Sequence, residues 1–206
     1  MTPATPAEVA AALEASAELG GFFGWQSPRQ EEETWSPLSL LYQPAPGPLD
    51  GLIDRMSAAL GNCERRIAAS VFFQDYAAKL LSPQLGGLAA SGVIPDLSVS
   101  DLSWRAQGSL ELGLLSAERG WRGALEELAP VVLAQSFSAS LNPLIAAVRA
   151  RVRLPTAILT DNATSAYVQG LALLGTSPRE PFARRSCCLY YKVAGGGYCG
   201  DCPIRK

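Results

Sequence analysis

Four cysteines near the C-terminus constrain this chain more than any other feature of it. Cys187, Cys188, Cys199 and Cys202 fall within sixteen positions as C-C-x10-C-x2-C, and only Cys63 lies elsewhere. The intervening stretch contains Gly195, Gly196 and Gly197, with Gly200 between the last two cysteines. Such glycines let a backbone approach another group closely and turn its N–H groups toward it. The segment therefore reads as a loop folded around whatever the sulfurs hold.

Three uses of the thiols compete. Disulfides require an oxidising compartment, which nothing in the chain suggests. A structural zinc ion ligated by all four thiolates is a second use. Zinc sites usually combine two C-x2-4-C pairs, however, and adjacent cysteines reach one tetrahedral ion only if the backbone twists sharply. A two-iron cluster spreads its four ligands over two metals and tolerates more varied spacing. The residues alone favour the cluster and leave zinc open. Arg184, Arg185 and Lys192 place positive charge beside the cysteines, where it would raise a cluster's potential or steer an anionic partner. From Arg179 to Lys206 six basic and two acidic residues give +4, leaving about −6 on the rest of a chain whose net charge is −2. Tyr190, Tyr191 and Tyr198 are candidates for shielding the site from water.

What the chain lacks narrows the chemistry. It has no histidine, which removes Ser–His and Cys–His catalysis, mixed Cys/His zinc sites and Rieske-type ligation together. It has neither G-x-G-x-x-G nor G-x-x-x-x-G-K-[ST], so any redox role must draw electrons from a separate partner. The small net charge argues against nucleic acid as a partner. The N-terminus lacks the basic start and apolar stretch of a secretory signal, which makes the cytoplasm the expected compartment. No window approaches eighteen uninterrupted apolar residues, so no membrane span is expected.

At 206 residues, 48 % of them apolar, the chain is sized for one globular domain with a small appendage. The pattern is mainly α-helical, with a minor β element near residues 97–115. An Ala-rich helix carrying Val9, Leu13 and Leu19 stops at Gly20–Gly21. A proline-rich stretch, 22–50, should be irregular or form short edge strands, with Glu31, Glu32 and Glu33 as a solvated run. Helical spacing resumes from Asp50 through Leu52, Ile53, Met56 and Leu60 and ends at Gly61–Asn62. A helix from roughly Cys63 to Leu81 follows, with Cys63 as a small core residue, and Pro83 should stop it or open the next short segment. Leu97, Val99, Leu102 and Trp104, then Leu110, Leu112 and Leu114, flank Gly108 like a hairpin, with a helix capped by Ser98, Asp101 or Ser103 as the alternative. Trp121 to Leu128 reads as a short helix, Pro130 as the start of the next, and Asn142–Pro143 as a cap and first-turn pair. Pro155 ends that helix, and Asp161 or Asn162 caps the one carrying Tyr167, Leu171 and Leu174. Arg149, Arg151 and Arg153 read as a solvated face. Residues 1–178 would form the helical domain and 179–206 the cysteine segment packed on it.

The motifs RRSCCLYY and GGGYCGDCP resemble the C-terminal signature of the FhuF-type ferric siderophore reductases. A weaker resemblance runs through Ile67–Pro83 (IAASVFFQDYAAKLLSP) and around Asn162, Ser165 and Ala166; the family often has Gly where this chain has Asp161. The resemblance implies a [2Fe-2S] cluster on Cys187, Cys188, Cys199 and Cys202, which would carry the electron. It implies an oxidoreductase acting on metal ions: a cytoplasmic enzyme passing single electrons from an external reductase, ferredoxin or flavodoxin to a ferric siderophore and releasing Fe(II) for iron uptake. The alternative is a zinc- or cluster-stabilised binding or sensor protein without reductase activity.

Overall fold

A computed structural model describes residues 1–25, 35–107, 109–115 and 118–205. Its centre is a single long helix, α3 (Arg65–Ser91), buried from Ile67 to Leu88 on nearly every side. A helix apolar all round must be enclosed, and α1 (Pro6–Glu18), α2 (Pro48–Ala59), α4 (Leu125–Ser136) and α6 (Thr156–Leu173) enclose it. α5 (Asn142–Arg149) joins α4 to α6. Phe72, Phe73, Tyr76, Leu80, Leu81 and Leu85 fill the middle of the core.

α3 does not stop at Pro83. The proline lies inside the helix and deprives the Lys79 carbonyl of its usual donor four residues on. Trp25 supplies the replacement, its Nε1–H donating to the Lys79 carbonyl at 2.9 Å. Ser16 of α1 donates to the Pro83 carbonyl at 2.9 Å. That contact requires a close approach of α1, and Gly86 permits it, since a Cβ there would strike Ser16 and Phe23. The break that proline normally causes is thus filled by neighbours distant in sequence.

Other elements of the second half also depart from the sequence pattern. Trp121 lies in a strand, β6 (Gly120–Arg122), and the helix begins only at Leu125, with exposed Pro130 inside it. Asn142 caps nothing: its backbone is helical, because α4 runs into α5 through a π-turn, Phe137–Leu141. This widened turn precedes Pro143 and presents Ser140, which hydrogen-bonds Tyr42 (2.7 Å) and Tyr76. The run Leu125–Arg149 is long and apolar enough to cross a membrane by length and composition. It nevertheless packs Leu128, Val132, Leu141, Leu144 and Val148 into the protein core. Pro155 is the N-cap of α6, so Asp161 and Asn162 sit within the helix, not at its start. Arg151 is no solvated residue either: its side chain is 1 % exposed and pairs with Asp50 at 3.0 Å.

The expected β element is present. β4 (Leu102–Gln107) pairs antiparallel with β5 (Ser109–Leu114), with Leu102 opposite Leu114 and Trp104 opposite Leu112, and β2 (Ser36–Pro37) adds a short edge. Ser98 and Asp101 cap the 3-10 turn ahead of β4, so both readings of this stretch hold in part. A second small sheet, in the order β1 (Thr2–Ala4), β6, β3 (Val93–Pro95), has no counterpart in the sequence reading. Glu31–Glu33 and Gly108 lie outside the described residues. α1 begins at a capping box of Thr5 and Glu8, and α2 ends at Gly61 and Asn62, both with positive φ.

Candidate metal centre

The cysteine segment is held by one polar face of α6. Asp161, Asn162, Ser165 and Gln169 recur at helical spacing, and Asn162 and Ser165 are fully buried. The Asp161 carboxylate accepts from the backbone N–H groups of Arg185 (3.0 Å) and Ser186 (2.7 Å) and from the Ser186 hydroxyl (2.7 Å). This fixes the chain as it enters Cys187.

Arg184 turns inward. Its side chain is 0 % exposed and donates to the Ser165 hydroxyl (3.0 Å), the Ser186 carbonyl (2.8 Å) and the Asn162 amide oxygen. It also pairs with Asp201, between Cys199 and Cys202, at 3.5 Å. The Ser165 hydroxyl in turn donates to Asp201 at 2.5 Å. Asn162 donates to the carbonyl and hydroxyl oxygens of Ser70 on α3, and the Ser70 hydroxyl donates to the Cys188 carbonyl at 2.8 Å. A buried charge is tolerated only when its donors are satisfied, and here the satisfying groups tie both cysteine loops to α3 and α6. A guanidinium so enclosed does not meet a partner at the surface; its place is structural and electrostatic. Arg185 and Lys192 are exposed.

The four thiols gather in two pairs. The sulfurs of Cys188 and Cys199 are 3.0 Å apart, and Cys187 lies beside Cys202. No disulfide is formed. Among the described residues, no three His, Cys, Asp or Glu side chains converge as ligands of one ion. Two pairs suit four ligands shared by two metals, whereas one tetrahedral zinc needs all four sulfurs around a single point. Cys188 and Cys202 are buried, while Cys187 and Cys199 are half-buried.

Backbone donors reach the sulfurs from a different place than expected. Leu189 adopts φ +71°, unusual for a branched residue, between the adjacent cysteines and a 3-10 turn, Tyr190–Lys192. That turn sends the Leu189 N–H to the Cys187 sulfur at 3.3 Å and the Tyr190 N–H to Cys188. The glycines serve the fold of the loop: a Cβ on Gly196 would collide with the Tyr190 carbonyl. Burial pushes the Cys187 thiol up. Burial and the Cys199 thiol push Cys188 up to about 11, against the Tyr190 N–H and the Arg184 charge. Metal binding there must displace protons.

Tyr190, Tyr191 and Tyr198 stay 38–55 % exposed. Tyr191 and Tyr198 stack at 6.0 Å, with the Lys192 ammonium 5.8 Å from the Tyr191 ring. A groove of 630 Å³ between α4, α6 and residues 178–182 includes none of the cysteines. Arg185, Tyr190, Tyr191, Lys192 and Tyr198, which flank the cysteines in sequence, are all exposed. Cys63 packs against the core, apart from the other thiols.

Fold and site together describe a mainly helical protein with a C-terminal four-cysteine centre laid over buried polar side chains. Residues 184–203 match the model of the FhuF 2Fe-2S C-terminal domain, a match confined to the segment that holds all four cysteines. That match implies a [2Fe-2S] cluster as cofactor, and the paired thiols fit it. No curated protein matches the chain. Sequence reasoning found the thiols and missed their supports, Ser70, Asp161, Asn162, Ser165 and Asp201. The available signal was the recurrence of Asp161, Asn162, Ser165 and Gln169 at helical spacing in α6.

Proposed function

We propose that the chain is a cytoplasmic ferric siderophore reductase of the FhuF type, in which residues 1–178 are the scaffold and 179–206 the working segment. The observation that carries this reading is the gathering of Cys187, Cys188, Cys199 and Cys202 into two pairs within the segment that matches the 2Fe-2S domain. A bound [2Fe-2S] cluster supplies one-electron transfer at this position.

The residues of the chain hold and insulate that position. Cys188 and Cys202 are buried and Cys187 and Cys199 only half-buried, so electrons need only a short path to the surface. Arg184 adds fixed positive charge beneath the loops, which favours a more negative, reduced state above it. Exposed Arg185 and Lys192 attract an anionic chelate or an acidic electron donor. The open surface suits a substrate too bulky for a closed pocket. One electron from an external reductase, ferredoxin or flavodoxin converts chelated Fe(III) to Fe(II), which hard oxygen ligands hold less tightly. No proton transfer to the chelate is required, in keeping with a chain that has no histidine.

The test is anaerobic purification followed by a visible spectrum with iron and sulfide analysis. A reddish protein that bleaches with dithionite and recolours on adding a ferric siderophore is the expected result. A colourless protein containing one zinc ion refutes it.

A further inference from the structure

We propose that the adjacent cysteines are divided between the two irons, with Cys188 and Cys199 holding one and Cys187 and Cys202 the other. The inference rests on the two-iron reading above and concerns how this chain's own residues meet that cluster. The alternative partition puts the C-C pair on one iron and the C-x2-C pair on the other.

Three observations favour the nested arrangement. The closest sulfurs belong to Cys188 and Cys199, at 3.0 Å. Cys187 in turn lies beside Cys202. The backbone supplies the geometry. Cys187 and Cys188 lie in a non-helical stretch, where successive side chains diverge. Leu189 at φ +71° then reverses the chain, while the Cys202 N–H donates to the Cys199 carbonyl at 3.2 Å and closes the second loop. The two cysteine loops thus face one another, first residue against last and second against third.

The pairing also shares out the backbone donors evenly. Each pair receives one backbone N–H, Leu189 to Cys187 and Tyr190 to Cys188. The alternative partition would put both of these donors on the iron of the C-C pair and neither on the other.

The test uses the full-length holoprotein, reduced by one electron. In a reduced two-iron cluster the cysteines of the ferric and ferrous irons form two sets, distinguished in proton NMR by the size and temperature dependence of their hyperfine shifts. The four cysteines are assignable by labelling, because each follows a different residue: Ser186, Cys187, Tyr198 and Asp201. Cys188 and Cys199 should share one set and Cys187 and Cys202 the other. Any other two-and-two sorting overturns the proposal while leaving the cluster reading intact, and a protein without iron and sulfide overturns both. If broadening hides the signals, Mössbauer spectra of C188S and C199S should show the same iron altered, and those of C187S and C202S the other iron. A common altered iron for C187S and C188S overturns the proposal.

Discussion

Replacing Asn162 by alanine would cut the scaffold from the cysteine segment at its centre. The side chain is fully buried, donates twice to Ser70 on α3 and accepts from Arg184. Its loss leaves a fully enclosed guanidinium short of one acceptor, and a hydrogen bond to a charged group is worth about 1.5–3 kcal/mol. The Ser70 hydroxyl keeps its bond to Cys188, so little is lost on that side, and the small void adds about 1 kcal/mol. The sum is a loss of about 2–4 kcal/mol, a large fraction of the ~5–15 kcal/mol that holds a domain together. For a chain of this size that corresponds to a fall of roughly 5–15 °C in Tm. Urea unfolding of the apoprotein measures it, with Gln169→Ala, at the edge of the same network, as a milder comparison. A loss below about 0.5 kcal/mol would refute the reasoning, since Arg184 would then have found an equivalent acceptor. Because the network reaches the Cys188 carbonyl, the variant should also lose iron faster on dilution with a chelator.

Two further predictions concern other parts of the molecule. Trp25→Phe removes the donor that serves the carbonyl freed by Pro83, and should cost about 1–2 kcal/mol; combined with Pro83→Ala, which restores a backbone donor, the loss should be smaller, and simple additivity in a double-mutant cycle would count against the account. In the apoprotein, the Cys188 thiol, held up to about 11, should alkylate slowly at pH 7 and about tenfold faster per pH unit until it ionises. Mass-spectrometric rates check this, and a plateau below pH 9 would contradict it. The sign for stability is the same: a thiol whose folded value is raised leaves the apoprotein unaffected below the ordinary value of 9.0 and destabilises it as pH climbs from there toward about 11.

The sequence determined the four-cysteine motif, the helical class and the hairpin. Cysteine spacing is a local property, and alternation from Leu102 to Leu114 or helical spacing from Leu52 to Leu60 is printed in consecutive residues. Element boundaries at prolines were not legible, because Pro83 is harmless only where Trp25 and Ser16, far away in sequence, meet the helix. Arg151 looked solvated for a similar reason: its partner, Asp50, lies a hundred residues earlier. At the cysteine centre, spacing named four thiols and left their pairing undetermined. Only the tertiary structure set Cys188 against Cys199 and turned Arg184 inward onto Asn162, Ser165 and Asp201. Those relations depend on how the two loops lie across α3 and α6, and packing between distant segments leaves no periodic mark in a chain.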